Sequence, residues 1–319
     1  MKIICFGTPS FTSEIIKNIE RCNDIVCIVT TEDTQKGRGK KMLPSDVKKT
    51  AFELNIPILQ PNKLDDKEFI EKLKEYNADL FLVIAFRKLP KVVWELPKKG
   101  TINLHTSLLP EYRGAAPINW VLINGENKTG VTTFFINEKI DQGDIILQKK
   151  INLDQNITAG QLHNLMIHDG IEIVNKTINL IDENDVQLIY QSKKDEFKAA
   201  PKLNKELQKI NWQKSIIEIH NKIRGLSPFI DQTTMLKDVS ICPCAWFFLN
   251  SKRVKIQKSS IVEIVNKERY LDTDNKNYLN VNFKNKALSL EIIQPEGKKP
   301  MNIKQFLQGN KIDSSDIIK

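Results

Sequence analysis

The strongest constraint on the fold is the alternation of short apolar runs with amphipathic segments over the first 105 residues. Apolar runs at 2–6, 24–29 and 80–85 have the length of β-strands, and the segments between them carry apolar residues at helical spacing. Such alternation is typical of a doubly wound, parallel sheet with helices on both faces. The run Leu80–Ala85 is the most apolar of them, so we expect it at the centre of the sheet. The prediction is an α/β fold.

The second half of the chain has a different pattern. A polar, lysine-rich tract begins near residue 191, and short strand patterns separated by turn signals follow it. These patterns predict a small β-barrel, and they lie at 253–257, 261–265, 278–283 and 287–293. We therefore predict three parts, which are a catalytic domain over 1–190, a linker over 191–206 and a basic C-terminal β-barrel over 207–319.

The net charge is uneven along the chain, which carries a formal charge of +9 at pH 7. Residues 1–190 hold 24 Lys or Arg against 25 Asp or Glu, for a net charge of −1. Residues 191–319 hold 24 against 14, for a net charge of +10. A basic part beside a neutral one indicates a nucleic-acid partner. The alternative is a lysine-rich surface without a specific partner.

The lengths of the apolar runs and the spacing of the cysteines indicate where in the cell the protein is expected. No apolar run approaches the length of a membrane span, and the sequence begins directly with a strand pattern. The five cysteines have no metal-site spacing, so buried thiols are the simpler interpretation, although Cys242 and Cys244 could instead respond to redox conditions. We expect a cytoplasmic monomer with no bound metal and no membrane contact.

An amide and an imidazole stand side by side where the predicted strand 101–105 ends. Residues two apart on a strand share a face, so Asn103 and His105 point the same way. Ligands of open α/β sheets bind at the carboxyl ends of the strands. A third candidate, Asp141, lies at the tip of a predicted hairpin. A carboxylate stabilises a protonated imidazole and an amide can donate to an oxyanion, which suits attack by an amine on a carbonyl carbon.

A basic loop is the second candidate for ligand contact. Residues 36–41 read KGRGKK and carry four positive charges with no acidic residue. The loop follows the second predicted strand, so it either belongs to the same edge of the sheet and meets a polyanionic substrate, or is an ordinary solvated loop. The turn Gly7-Thr8-Pro9 lacks the further glycines of a dinucleotide-binding loop, so neither NAD nor ATP is expected.

The motifs around these residues resemble the 10-formyltetrahydrofolate-dependent formyltransferases. Asn103-x-His105, the segment SLLPEYRGAAP that follows it, and Asp141-x-Gly143-Asp144 are similar to the signature of that family. The segments FGTPSF, GRGKKMLPS, KLNKE and QPEGKKPM resemble members that act on aminoacylated initiator tRNA. The resemblance extends over nearly the whole chain and is most specific at 101–120.

This resemblance implies a Rossmann-like, doubly wound, mostly parallel sheet followed by an OB-fold-like β-barrel. It implies formyl transfer from 10-formyltetrahydrofolate to the amino group of methionyl initiator tRNA, for translation initiation. The residue roles that it implies are catalysis by Asn103, His105 and Asp141, donor binding by Ser107, Leu108, Leu109, Pro110, Phe86 and Leu89, and tRNA binding by Lys36, Arg38, Lys40 and Lys41.

Alternatives remain open at two levels. Arg87 and Lys88 stand where many family members have a smaller residue, and they would either pair with the glutamate carboxylates of the donor or face solvent. The same catalytic residues would also serve a formyltransferase for a small amine, such as glycinamide ribonucleotide or an amino sugar nucleotide. A folate-dependent hydrolase and a non-catalytic RNA-binding protein are further alternatives.

Overall fold

The structure is a computed structural model, and it describes residues 1–36, 41–191, 196–231, 234–236, 241–265 and 271–313. Packing contacts divide the chain into two compact units. Unit 1 comprises Met1–Gly114, Thr129–Ile151 and Leu165–Ala199, and unit 2 comprises Ala115–Lys128, Asn152–Asn164 and Ala200–Lys319. The predicted domains, with boundaries at 190 and 207, are each one continuous segment, whereas each unit is made of three segments. The predicted boundaries stay a prediction.

Strands and helices alternate through the first half of the chain. They follow in the order β1 (Lys2–Gly7), α1 (Ser10–Ile19), β2 (Asp24–Val29), β3 (Thr34–Lys36), β4 (Lys41–Leu43), α2 (Asp46–Glu53), β5 (Ile58–Leu59), α3 (Lys67–Glu75), β6 (Leu80–Ile84), α4 (Lys91–Trp94) and β7 (Thr101–His105). The chain continues with β8 (Arg113–Gly114), α5 (Pro117–Ile123), β9 (Lys128–Phe135), β10 (Ile145–Asn152) and α6 (Ala159–Asp182). The remaining elements are β11 (Ala199–Ala200), α7 (Lys205–Gln208), α8 (Ile216–Gly225), β12 (Ala245–Leu249), β13 (Lys252–Glu263), β14 (Leu271–Thr273), β15 (Leu279–Phe283), β16 (Lys286–Pro295), β17 (Met301–Asn302) and α9 (Ile303–Gln308).

The main sheet of unit 1 has the strand order β10-β9-β7-β6-β1-β2-β5. The pairs β1–β2, β1–β6, β6–β7 and β2–β5 are parallel, and the pair β7–β9 is antiparallel. β6 lies between β7 and β1 and is buried along its whole length, which confirms that the most apolar run is central. The predicted α/β class with a Rossmann-like, mostly parallel sheet is confirmed.

The core on one face of this sheet joins β1 and β6 to the helices that cover them. Phe6 and Phe81 lie on the two neighbouring strands with their ring centroids 5.1 Å apart. Leu73 of α3 and Val93 of α4 are buried in the same cluster. Apolar burial of this kind holds the strand ends of the sheet in fixed register, and those ends carry the candidate site.

All five cysteines are free thiols. Cys5 and Cys27 are buried in unit 1, and Cys242 and Cys244 are buried in unit 2. Burial raises the pKa of the Cys27 thiol to about 12 and that of the Cys244 thiol to about 11. The expectation of burial is wrong for Cys22, which is exposed because it lies in the turn between α1 and β2.

Helix α6 begins at a reciprocal cap. The Gln161 backbone N–H donates to Thr158 Oγ1 at 3.1 Å, and the Thr158 N–H donates to Gln161 Oε1 at 2.9 Å. These bonds satisfy backbone donors that have no partner inside the helix. α6 has 24 residues, but among the described residues no helix combines the length and the apolar character needed to cross a membrane.

Unit 2 contains an antiparallel sheet with the strand order β12-β13-β16-β15-β14, and β17 pairs with β16. Its core includes Phe247, Ile256 and Leu288 from the sheet and Ile219 and Ile223 from α8. A small β-barrel was predicted after the α/β part, and an antiparallel sheet domain is present there. Its OB-fold type stays a prediction.

Several strands of unit 2 differ from the sequence analysis, and the short β14 and β17 lie outside the four predicted runs. β13 runs from Lys252 to Glu263, where separate strands were predicted at 253–257 and 261–265. Its polar middle resembles a turn in sequence, but it stays in the ladder because the register shifts at Lys258 absorb the irregularity. β12 was not predicted, since its five residues lack a clean polar alternation.

His220 on α8 is a buried histidine of unit 2, and its side chain is 6% exposed. Its Nδ1 lies 3.1 Å from Ser259 Oγ. Burial, together with the nearby cation of Arg224, lowers the pKa of His220 from 6.5 to about 4. The folded unit therefore holds this side chain neutral at pH 7.

The depressed pKa predicts acid sensitivity of unit 2. Below pH 6.5 His220 binds a proton in the unfolded chain but not in the folded chain. The free energy of unfolding is therefore highest above pH 6.5, and it falls by about 3 kcal/mol in total as the pH approaches 4. Thermal unfolding between pH 7 and 4 should show this loss, and His220→Gln should make the curve flatter. His168, which is 83% exposed, supplies the control His168→Gln. An equally flat curve for both variants would contradict the assignment.

Candidate active site

Strand β7 carries Asn103 and His105 to the carboxyl edge of the parallel part of the sheet. Asn103 lies in register between Val83 of β6 and Phe134 of β9, which are core residues. Asn103 is half-buried, and within the described part of the chain its carboxamide makes no hydrogen bond. This amide is therefore available to a ligand.

His105 is held in one tautomer. Its side chain is 7% exposed, and Nε2 lies 2.9 Å from the Tyr112 carbonyl oxygen. A carbonyl oxygen only accepts, so Nε2 carries the proton and donates it. The second ring nitrogen, Nδ1, lies 3.8 Å from Asp141 Oδ2. In the neutral side chain Nδ1 is a base, and it becomes a cation facing a carboxylate once it is protonated.

Asp141 is positioned by its backbone turn. Its φ of 54° lies in the left-handed region, which is unusual for a residue other than glycine. The Gly114 N–H donates to Asp141 Oδ2 at 2.9 Å, and the side chain is 14% exposed. Gly143 completes the turn, because a Cβ there would lie 1.6 Å from the Phe135 carbonyl oxygen. The structure thus brings the three predicted catalytic side chains to one place.

The loop 107–110 is fixed by side chains of β9 and β10. Thr132 Oγ1 donates to the Ser107 carbonyl oxygen at 2.6 Å and accepts from the Leu109 N–H at 3.2 Å. Gln148 Nε2 donates to the Leu109 carbonyl oxygen at 2.8 Å and to Thr132 Oγ1 at 3.0 Å. The Leu109–Pro110 peptide is cis. Sequence reasoning missed Thr132 and Gln148, because each is one polar residue in an ordinary strand pattern.

The predicted donor-binding residues differ in exposure. Ser107, Leu109 and Leu89 are buried, whereas Leu108, Pro110 and Phe86 are half-buried. A donor at this edge would touch the half-buried residues directly, and the buried ones would act by shaping the loop and the core under it. These six residues remain predictions.

Arg87 is engaged with backbone. Its guanidinium donates to the Asn62 carbonyl oxygen at 2.8 Å and to the Pro61 carbonyl oxygen, and it lies 5.7 Å from the Phe86 ring centroid. It therefore ties the segment after β5 to the segment after β6. Arg87 and Lys88 are both exposed, as the solvent-facing alternative expects, and no donor carboxylate is needed to hold the Arg87 side chain.

The predicted basic loop starts and ends in a small hairpin. β3 and β4 pair antiparallel with Lys36 opposite Lys41, whereas Arg38 and Lys40 lie outside the described residues. Lys48 Nζ donates to the Asp33 carboxylate at 2.9 and 3.0 Å beside the hairpin. Hydrogen bonds from Lys48 and Gln60 lower the pKa of Asp33.

Among the described residues there is no group of three or more His, Cys, Asp and Glu that could hold a metal ion. What the edge does contain is an available amide, a histidine of defined tautomer and a carboxylate beside that histidine. This set fits acyl transfer to an amine without a covalent intermediate.

Comparison with protein families agrees with that chemistry. The family model "Formyl transferase" matches residues 1–178, and "Formyl transferase, C-terminal domain" matches residues 202–311. The chain belongs to the formyl transferase family.

Two relatives from the same family have names that give a particular enzyme. The chain is 42% identical to the methionyl-tRNA formyltransferase of Clostridioides difficile over 320 residues, with 100% of both chains covered. It is 43% identical to the methionyl-tRNA formyltransferase of Flavobacterium johnsoniae, with 97% of this chain and 96% of that one covered.

Solved structures with the same fold are more distant in sequence. A sugar 3N-formyl transferase crystallised with dTDP and 5-N-formyl-THF has a TM-score of 0.64 at 22% identity, covering 94% of this chain and 99% of that one. An N-formyltransferase of Helicobacter canadensis, in complex with folinic acid and dTDP-3-aminofucose, has a TM-score of 0.63 at 20% identity, covering 92% and 99%. At these identities the likeness concerns the fold.

The hydrogen bonds of Thr132 generate a test of loop 107–110. Thr132→Val should lower the free energy of unfolding by about 1–3 kcal/mol, because it leaves buried polar groups unpaired. It should also speed amide hydrogen exchange at Leu109, which loses its acceptor. Thr133→Val is the matched control, since Thr133 Oγ1 bonds Thr177 Oγ1 at 2.7 Å elsewhere. Equal exchange at Leu109 in the two variants would contradict the loop assignment.

Proposed function

We propose that this protein transfers the formyl group of 10-formyltetrahydrofolate to the amino group of methionyl initiator tRNA, as a cytoplasmic monomer that serves translation initiation. The observation that carries the proposal is full-length identity of 42% to a methionyl-tRNA formyltransferase, together with the Asn103–His105–Asp141 grouping. Family membership supports the formyl chemistry, and the relatives support the acceptor.

His105 manages the proton of the attacking amine. Its Nε2 is committed to the Tyr112 carbonyl oxygen, so Nδ1 accepts the proton as the amine nitrogen bonds to the formyl carbon. The imidazolium that forms faces the Asp141 carboxylate at 3.8 Å, which stabilises the new charge. Asp141 need not itself take a proton.

Asn103 stabilises the oxyanion of the tetrahedral intermediate. Its carboxamide N–H donates to the formyl oxygen as negative charge develops there, and no competing partner holds it among the described residues. The intermediate collapses when the bond from the formyl carbon to N10 of the donor breaks. His105 then returns its proton to N10, so the products are formylmethionyl-tRNA and tetrahydrofolate.

The donor would lie against loop 107–110 and Phe86. The donor supplies the activated formyl group, and the protein residues supply position and charge. The half-buried Leu108 and Pro110 present apolar surface, while Thr132 and Gln148 hold the loop in shape. Gly130 permits this packing, because a Cβ there would lie 2.5 Å from the Leu108 side chain. These residues fit a flat, partly apolar donor.

The acceptor would be held by cations. We infer that Lys36, Arg38, Lys40 and Lys41 contact the acceptor end of the tRNA, and that the C-terminal part of net charge +10 meets its phosphates. The hairpin β3–β4 supports this, because its two strands pair directly before and directly after the Gly-rich segment in the sequence.

A second candidate is formylation of an amino sugar nucleotide, which is favoured by one observation. Two solved structures of that kind share the fold, with TM-scores of 0.64 and 0.63. Purified protein with 10-formyltetrahydrofolate should formylate methionyl initiator tRNA, and it should leave dTDP-amino sugars and glycinamide ribonucleotide unchanged. Formylation of a small amine without tRNA activity would refute the proposal. Release of formate without any acceptor would instead support a hydrolase.

Alanine variants test the catalytic residues. Asn103→Ala should lower single-turnover formylation by about a hundred- to a thousandfold, as expected for loss of an oxyanion donor. His105→Ala should lower it at least as much, while the folded state and tRNA binding persist. His168→Ala, at an exposed position, and Asn18→Ala, at a half-buried position, are controls for the residue types. Turnover near that of the parent chain in His105→Ala would show that the assignment is wrong.

Arg38→Ala tests the basic loop. If Arg38 places the acceptor end, turnover should fall far more than tRNA affinity, because misplacement of a reacting group is costly in rate. Single-turnover rates and tRNA binding across a salt series measure both quantities. Arg21→Ala, at an exposed turn position of unit 1, controls for loss of one positive charge. Equal effects of the two variants would remove Arg38 from the acceptor site.

A further inference from the structure

The segment after unit 1's last helix returns to the catalytic residues. Gln191 and residues 196–199 lie in the tract predicted as a linker, yet they belong to unit 1. We call Gln191 together with residues 196–199 the brace. We propose that the brace is a positioning element of the active site, which fixes Asp141 through Gln191 and Arg113 and fixes His105 through Tyr112. Its kinetic test rests on the proposed function.

Gln191 holds the turn that carries Asp141. Its Nε2 donates to the Asp141 carbonyl oxygen at 3.0 Å and to the Gly143 carbonyl oxygen at 2.8 Å, so one carboxamide spans the turn. The left-handed backbone of Asp141 is strained, and such conformations persist when neighbouring groups determine them. The two donated bonds are one such determinant.

Arg113, at the start of β8, contacts both Asp141 and Gln191. Its Nε donates to the Asp141 carbonyl oxygen at 3.1 Å, and its Nη2 donates to Gln191 Oε1 at 2.5 Å. The guanidinium lies 5.0 Å from the ring centroid of Phe197, which is a brace residue. Partial burial lowers the pKa of Arg113. Arg113 is thus fixed between two residues of the brace.

The brace reaches His105 by a second route. The Tyr112 N–H donates to the Lys198 carbonyl oxygen at 2.6 Å, and the Lys198 N–H donates to Glu111 Oε2 at 2.9 Å. The carbonyl group of the same Tyr112 accepts the proton of His105 Nε2. Backbone bonds of the brace therefore hold the residue that sets the tautomer of His105.

The simpler alternative is that the brace only adds stability to unit 1. A stabilising contact would lower activity through the folded fraction, and its loss would not depend on Asp141. A positioning contact acts through Asp141, so its loss should matter only while that carboxylate is present. The two possibilities are separable by a double-mutant cycle.

Gln191→Glu and Gln191→Ala are the test variants in the full chain. Gln191→Glu keeps the length and the acceptor for Arg113, but it loses the donor to the turn. Both variants should lower the single-turnover rate by about ten- to a hundredfold, with the Michaelis constants for donor and tRNA nearly unchanged. Gln208→Ala is the matched control, because among the described residues its side chain bonds only the Asn204 carbonyl oxygen of its own turn. A rate equal to that of the parent chain would overturn the proposal.

The same substitutions are then made in Asp141→Asn. We expect no additional loss of rate in that background. An additional loss as large as in the parent chain would show that Gln191 acts independently of Asp141, and it would overturn the proposal.

Amide hydrogen exchange at Gly114 supplies a measurement without substrate. The Gly114 N–H is protected by Asp141 Oδ2, so Gln191→Ala should speed its exchange while Gln208→Ala should not. Unchanged exchange in Gln191→Ala would overturn the brace even if the parent chain formylates tRNA. Faster exchange in a chain that does not formylate tRNA would refute the proposed function and leave the brace supported.

Discussion

The hydrogen bond from His105 Nε2 to the Tyr112 carbonyl oxygen is the contact on which the site depends. At 2.9 Å it fixes the tautomer, so in the neutral side chain the nitrogen that faces Asp141, Nδ1, carries no proton. With the opposite tautomer, the carboxylate would hold the proton-bearing nitrogen and no base would face an incoming amine. Tyr112 lies in the loop after β7, so a backbone carbonyl group sets the tautomer of His105.

Much of unit 1 was predictable because its determinants are local. An apolar run such as Leu80–Ile84 needs burial on both faces, and period-two alternation places Asn103 and His105 on one face of β7. Asp141 was predicted at a hairpin tip, and the fold brings its carboxylate within 3.8 Å of the imidazole. These conclusions needed only the spacing of residues along the chain.

The rest of the site depends on contacts between distant residues. Gln191 donates a hydrogen bond to the Asp141 carbonyl oxygen, 50 residues away in the sequence. A glutamine in a polar tract belongs to no sequence pattern from which such a partner can be predicted. The hairpin β3–β4 was read as a loop because glycines and lysines interrupt any alternation. β13 was divided in two because its polar middle resembles a turn in sequence. The local sequence pattern predicts which residues are buried and whether a segment is a strand or a helix. It does not predict which distant polar groups form hydrogen bonds with each other.

The distribution of thiols gives the folded chain a chemical asymmetry. Of the five, Cys22 alone is exposed, and raised pKa values suppress the thiolate at Cys27 and Cys244. A thiol reagent at neutral pH therefore addresses one position in the native protein. The remaining sulfurs lie two in each unit, so their reactivity reports separately on the opening of the α/β unit and of the antiparallel unit. The native protein can thus be labelled at one thiol, and the labelling rates of its four buried thiols measure the unfolding of each unit.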